Sequence, residues 1–399
     1  GAAYLLDTFG GIAGGLVFCL CLVHFLTPFQ VGTFLLVINL GTGILLAGSA
    51  GRGRSVLAMA AAAGGLLCIV AVTDLERSTA GLMFPGADLL LQRFTPYGTL
   101  TVTRQDAQIN VMENGVPVGS SRDLAAAEEM VHYALAQNES PQRVLLVSGG
   151  LSGAHSEVEK HAVTQLDYVE LDPAVLEVAQ QVAGIGNESH VRSISGDARR
   201  FIRSVQGEYD AVLMASADPS SAQLNRFFTA EFFAEVRRAL RPEGVFSFSL
   251  SGAENYANPE ARILASAVHK ALLSAFPHIL IVPGARQYFV ASVRPLTPDI
   301  GGRLSERGVE TSYVHGDYLA ARFTADRLAL AEKMVSVDTR PTRDFMPVSY
   351  YAHLRYWLSH FGGGVLLPML LVGGLVVLVG VQRGDVELSA DRLLDIVLG

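Results

Sequence analysis

The 399-residue chain is short of charge: 17% of its residues are Asp, Glu, Lys or Arg, and 50% are hydrophobic. Soluble domains carry about 25% charged residues, so part of this chain is expected to face lipid rather than water. The formal net charge is -8 and the arginines are scattered without a basic stripe, which argues against a nucleic-acid partner. There are three cysteines, Cys19, Cys21 and Cys68. All lie in apolar runs and none has the Cys-x-x-Cys spacing of a metal site or a disulfide framework, so they read as small hydrophobes. The histidines near the ends of apolar runs (His24, His360) and near a glycine turn (His155, His161) form no paired ligand set, so no metal is expected. The chain opens on Gly1 and enters an apolar run without the charged n-region of a signal peptide, as expected of a processed or partial chain.

Four apolar stretches surround one polar block. They run roughly 10–29, 31–50, 55–73 and 362–381, each close to the ~20 residues that cross a bilayer core. Three membrane helices before the polar block and one after it are therefore expected, with the lipid bilayer as a partner. Gly10 and Gly14, and Gly11 and Gly15, have the small-xxx-small spacing that lets helix backbones approach, within the chain, in a homo-oligomer or against a membrane-protein partner. Arg52 and Arg54 in the loop between the second and third stretches favour the cytoplasmic side there, which puts the polar block on the extracytoplasmic face; Arg77, Arg93 and Arg355 oppose that reading. The stretches hold almost no ionisable group, which argues against a transport pathway through them.

Between about 74 and 361, strand and helix patterns alternate. The expected strands are 99–103, 108–112, 143–147, 166–171, 191–194, 209–214, 245–249, 279–282 and 289–293. The expected helices are 125–137, 173–182, 198–205, 230–240 and 259–275. Asn114-Gly115 signals a hairpin turn, and Pro173 suits the first turn of a helix. Such alternation means a mostly parallel sheet covered on both faces, with ligands bound outside the carboxyl ends of its strands. The expected division is 1–73 membrane helices, 74–138 a small β-region and helix, 139–361 the α/β domain, 362–381 a further membrane helix, and 382–399 a tail that suits a short amphipathic helix.

The chemistry-bearing residues sit at those strand ends. Gly149, Gly150 and Gly153 form a turn that suits either close approach of a ligand or a sharp βα connection. Glu170, about 20 residues on at the next strand end, is placed to accept from ribose hydroxyls; the alternative is a solvated strand-end carboxylate. Asp197 is placed to accept from an adenine amino group or to cap the following helix.

The stretch 144–173, the tetrad Gly196-Asp197-Ala198-Arg199, the string from Asp218-Pro219 to Thr229 and the segment Asp344 to Tyr351 resemble polyamine aminopropyltransferases, and in particular membrane-fused spermidine synthase-like proteins. The resemblance covers roughly 95–361. It implies a methyltransferase-like, Rossmann-like α/β domain with a small N-terminal β-region, flanked by membrane helices in a bacterial inner membrane. It also implies decarboxylated S-adenosylmethionine as donor, methylthioadenosine as product nucleoside, and a diamine acceptor. Glu170 would match the ribose-binding acid, Asp197 and Ala198 the adenine contacts, Glu129 the acid of the helix before the first sheet strand, and Asp218 the second acid of an Asp-x-x-Asp-Pro motif that holds the amine. At the first acid of that motif, which takes a proton from the amine, this chain has Ala215; where the family's turn carries an acid it has Leu151-Ser152. Alanine accepts no proton, and loss of a general base costs about 10²–10⁴-fold. Asp218 is the nearest substitute. Three readings remain: a catalytically degenerate domain acting as subunit or scaffold of a membrane assembly, an active aminopropyltransferase, and a polyamine- or nucleoside-binding accessory protein.

Overall fold

The computed structural model describes residues 2–121, 123–186, 188–253 and 257–359. The expected fourth apolar span and the tail after it lie outside the described residues. Among the described residues, three helices are long and apolar enough to cross a membrane: Tyr4–Phe25, Pro28–Ser49 and Gly53–Val70. None of them buries any of its apolar window within the chain. The first expected boundary was misplaced by a few residues. The break falls at Leu26–Thr27, because Thr27 caps the next helix: its side chain accepts from the Gln30 amide, the Gln30 side chain accepts from the Thr27 amide, and Pro28 fills the first turn. The glycines at 10, 11, 14 and 15 meet no neighbouring atom among the described residues, so none of the described helices uses their close-approach face.

The chain divides into two compact units. The first comprises Gly1–Ala215, Arg238–Phe248 and Thr297–Leu319. After the apolar helices it forms an antiparallel four-stranded meander in the order β1 (Asp88–Phe94), β2 (Thr99–Gln105), β3 (Gln108–Glu113) and β4 (Val116–Ser120). The expected hairpin turn joins β3 to β4, with Asn114 and Gly115 both at positive φ (52° and 78°), as a type I′ turn requires. The sequence reading missed β1 and β4. A register shift between Leu89 and Leu91 breaks the alternation of β1. Pro117 and Gly119 in β4 argue against a strand, but β4 is an edge strand, where both are tolerated.

Helix Leu124–Leu135 then leads into β5 (Arg143–Val147), β6 (Gln165–Glu170), β7 (Val191–Ser195), β8 (Tyr209–Met214) and β9 (Leu240–Ser251), of which residues up to Phe248 belong to this unit. These pair in parallel in the order β9-β8-β5-β6-β7. Residues 144–147 and 209–214 are wholly buried, as central strands covered on both faces must be. The expected strands 143–147 and 209–214 have these bounds, and the others shift by a residue or two. The exception is β9, which begins five residues early across Pro242 and Gly244, with a register shift against β8. Because β5 comes first in sequence and lies between β6 and β8, the sheet reverses its order between β5 and β8. Their carboxyl ends border the crevice where ligands bind in such sheets.

The second unit comprises Ser216–Arg237, Ser249–Leu296 and Ala320–Gly399. It contains helix Ala230–Ala239 up to Arg237, helix Pro259–Leu273, the antiparallel pair β10 (His278–Val282) and β11 (Arg286–Ser292), and the helices Ala325–Val335 and Val348–Ser359. Phe228, Phe232, Phe233, Phe276 and Phe289 are among its fully buried side chains.

Candidate active site

In the first unit, β5 ends in a turn whose backbone leaves the ordinary regions three times: Ser148 at φ 57°, Gly149 at 78° and Gly153 at 80°. Each candidate glycine has a local structural cause. A Cβ on Gly149 would lie 2.4 Å from the Cβ of Ala215, at the end of β8. A Cβ on Gly150 would lie 2.5 Å from the ring of Tyr168. Gly153 has open space around it and is held to glycine by its φ alone. The turn thus satisfies the structural alternative in full and also keeps backbone close to the switch point.

Glu170 is not a solvated strand-end carboxylate. It is buried; its Oε1 accepts from the Leu171 amide at 2.8 Å, and its Oε2 accepts from the Tyr168 hydroxyl at 3.0 Å. Burial, with the nearby Glu113 carboxylate contributing, pushes its carboxyl above the usual range despite those bonds. Glu113 is raised as well, by burial first and then by Asp172. Asp172 is tied down by the Thr95 hydroxyl at 2.6 Å and by the Ala174 amide. The carboxyl end of β6 is therefore a crowded set of acids that hydroxyl donors would relieve.

Asp197 adopts the capping alternative, accepting from the Arg200 amide at 3.0 Å at the start of helix Ala198–Ser204, and Ala198 is buried behind it. Where an acid was expected in the glycine turn, Leu151 is buried, and a Cβ on Gly119 of β4 would meet it at 2.7 Å. Ser152 folds back, its hydroxyl donating to the Gly149 carbonyl at 2.7 Å.

The pair Glu128-Glu129 splits into two roles. Glu128 is fully buried and accepts the backbone amides of Ser312, Tyr313 and Val314 at 2.7–2.9 Å. Glu129 accepts hydroxyls from Tyr133 (3.0 Å) and Tyr318 (2.7 Å), as an oriented carboxylate does. One turn further along the same helix, His132 lies in a chain of bonds that begins at Arg307, which donates from Nη2 to His161 Nδ1 at 2.8 Å. A guanidinium only donates, so His161 carries its proton on Nε2 and passes a bond to His132 Nδ1 at 2.8 Å. His132 Nε2 then donates to Glu157 at 2.9 Å. Burial, aided by His132 and the Arg307 charge, pushes His161 down to about 3.

In the second unit, Asp218 is already engaged. Arg286 Nη2 lies 3.1 Å from its Oδ1, and the Ser251 amide donates to both carboxylate oxygens at 3.1 and 3.2 Å. Arg286 is itself fixed by the Ser249 hydroxyl (2.8 Å) and carbonyl (3.1 Å). The two sequence strings that carried the resemblance here meet in space. The Ser349 hydroxyl donates to Asn225 Oδ1 at 2.5 Å, the Tyr350 amide reaches the same oxygen at 3.1 Å, and the Thr229 hydroxyl donates to Asp344 at 2.7 Å.

Sequence reasoning missed Tyr168, Tyr133 and Tyr318 as partners of the two acids, and Arg286 as the partner of Asp218. Tyr168 was findable, since it stands two residues before Glu170 on one strand and so on the same face. Tyr133 is one helical turn from Glu129. Tyr318 and Arg286 carry no local signal.

A model of the spermine/spermidine synthase domain matches residues 124–293. A polyamine aminopropyltransferase of Korarchaeum cryptofilum is 36% identical over 123 residues, covering 30% of this chain and 38% of that protein. Spermidine synthase 2 of Arabidopsis thaliana is 38% identical over 139 residues, covering 33% of this chain and 41% of the relative. The chain spans between about a third and a half of the length of the curated relatives it matches. The crystal structure of spermidine synthase from Thermotoga maritima superimposes with a TM-score of 0.53 at 19% identity, covering 62% of this chain and 87% of that one, a likeness of fold. Behind three apolar N-terminal helices, residues 124–293 of this chain are similar to the spermine/spermidine synthase domain, and the fold is like that of a solved spermidine synthase.

Proposed function

We propose that this chain is a membrane-anchored, spermidine synthase-like protein that retains a nucleoside end and has lost efficient aminopropyl transfer, acting as a subunit or scaffold of a membrane assembly. The observation that carries the reading is the state of Asp218. With Ala215 unable to accept a proton, Asp218 is the nearest acid in sequence, and its carboxylate is taken up by Arg286 and the Ser251 amide. A carboxylate already engaged by a guanidinium and a backbone amide offers little attraction to a cationic amine.

The nucleoside end supports retention. Glu170 is buried, oriented by Tyr168 and the Leu171 amide, and crowded by other acids, so ribose hydroxyls donating to it would relieve an unfavourable environment. Gly149 and Gly150 leave room for backbone to approach a ligand only outside the contacts with Ala215 and Tyr168. Decarboxylated S-adenosylmethionine, if bound, would supply the electrophilic propylamine carbon; this chain's residues would hold its ribose at Glu170, its adenine beside Asp197 and Ala198, and an amine near Glu129. The unpartnered glycine stripe at Gly10, Gly11, Gly14 and Gly15 suits a membrane-protein partner or a second copy.

The reading is tested by calorimetric titration of the detergent-solubilised chain with methylthioadenosine. Micromolar binding, lost on Glu170→Ala, together with no turnover of decarboxylated S-adenosylmethionine and putrescine, is the expected result. A second reading, an active aminopropyltransferase, is favoured by the oriented carboxylates of Glu170 and Glu129. Spermidine formation by the unsubstituted chain would establish it and remove the first.

A further inference from the structure

Among the described residues the last helix of the second unit is Val348–Ser359, which packs on helix Pro259–Leu273 and buries Ser349 and Ala352. Its other face is not the polar face of a water-facing helix. Tyr351 is 60% exposed and Leu354 41%, one turn apart, and Arg355 beside them lies 3.8 Å from Glu260. In the tight turn before the helix, closed by Arg343 and Met346, Phe345 is wholly exposed. Trp357, 53% exposed, is the chain's single tryptophan. Several large apolar side chains so exposed in one short segment are uncommon on a water-facing surface, and aromatic side chains beside an arginine are the composition of a membrane–water interface.

The next part of the chain identifies the occupant. Residues 362–381 are an uncharged apolar stretch of bilayer-spanning length. Gly362 lies five positions after Trp357, and even fully extended chain covers only about 18 Å in that distance. The headgroup layer on each side of the hydrocarbon core is several ångströms thick. Chain connectivity therefore keeps Trp357, and the face one turn before it, next to any membrane that residues 362–381 enter.

We propose that the Tyr351–Leu354 face of this helix, together with Phe345, seats in the headgroup region of the lipid bilayer and fixes the second unit against the membrane surface. The inference rests on the membrane reading of the apolar stretches.

The single tryptophan makes the test direct. The full chain is reconstituted into phosphatidylcholine vesicles, and Trp357 emission is read with quenchers attached near the lipid headgroup, with quenchers deep in the acyl chain, and with aqueous iodide. The expected result is at least twofold stronger quenching by the shallow label than by the deep one, with weak iodide quenching. In the variant carrying Phe345→Ser, Tyr351→Ser and Leu354→Ser, the shallow quenching falls at least twofold and iodide quenching rises, while the chain still floats with the vesicles. Strong iodide quenching without lipid quenching in the unsubstituted chain would overturn the proposal, by placing this face in water. Quenching by neither would also overturn it, by showing that protein, another copy or residues 382–399, covers the face. Flotation separates the two levels: a chain that fails to float with vesicles removes the membrane reading itself.

Discussion

Glu128 and Glu129 are adjacent acids for which the structure predicts opposite consequences of the same substitution. Glu128 has no contact with solvent, and its two oxygens accept three backbone amides from residues 312–314. In Glu128→Ala those three donors lose their acceptor inside the protein. An unsatisfied buried donor costs about 1–3 kcal/mol. Partial relaxation and entry of water keep the three from adding in full, so a loss of about 3–5 kcal/mol is expected. At roughly 2–4 °C per kcal/mol for a domain of this size, the melting temperature should fall by about 10 °C or more. Glu129→Ala leaves two tyrosine hydroxyls, of which that of half-buried Tyr318 can turn to water while that of buried Tyr133 cannot, and should cost about 2 kcal/mol, within about 8 °C. Thermal unfolding of both variants in one detergent, followed by circular dichroism, gives the comparison. Glu128→Ala melting within 3 °C of the unsubstituted protein, or Glu129→Ala proving the more damaging, would refute the assignment of the first acid to structure and the second to the site.

Three further outcomes are expected. His161 is held neutral down to about pH 3 while the unfolded chain protonates near its ordinary value of 6.5, so the unfolded state binds the extra proton between those limits. Stability should therefore fall as pH drops below about 6.5, by up to about 1.4 kcal/mol per unit from this group. Chemical denaturation of His161→Asn should show a shallower decline between pH 6.5 and 4.5. Arg286→Met frees the Asp218 carboxylate; putrescine binding by calorimetry should strengthen about tenfold or more, and Asp218→Asn in the same background should abolish the gain. Gly149→Ala puts a Cβ into a left-handed backbone position and 2.4 Å from the Ala215 Cβ; at least about 2 kcal/mol of stability should be lost, read from the denaturation midpoint.

The sheet was legible because its pattern is local. Residues 144–147 and 211–214 are unbroken apolar runs, and central parallel strands require nothing more. β1 and β4 were not, because a bulge in one and Pro117 and Gly119 in the other break the alternation that marks a strand, and only their partners show why that is tolerated. At the site, sequence carries positions but not partners. Glu170, Asp197 and Asp218 stand at strand ends or just beyond them, where the pattern put them. Their differences lie in what touches them: Tyr168 and the Leu171 amide on Glu170, a helix amide on Asp197, Arg286 on Asp218. The last contact joins residues 68 positions apart, a separation at which no periodicity in the sequence carries information.

The contact between Gly149 and Ala215 makes the two positions an epistatic pair. Besides its left-handed backbone, what forbids a side chain at 149 is the first carbon of residue 215, which every residue but glycine possesses. An acid and an alanine at 215 therefore impose the same demand on the glycine. Its presence in a related sequence says that the strand ends still meet and nothing about whether a proton can be taken there. For the same reason a substitution to Asp at 215 begins from a Cβ that the strand ends already accommodate.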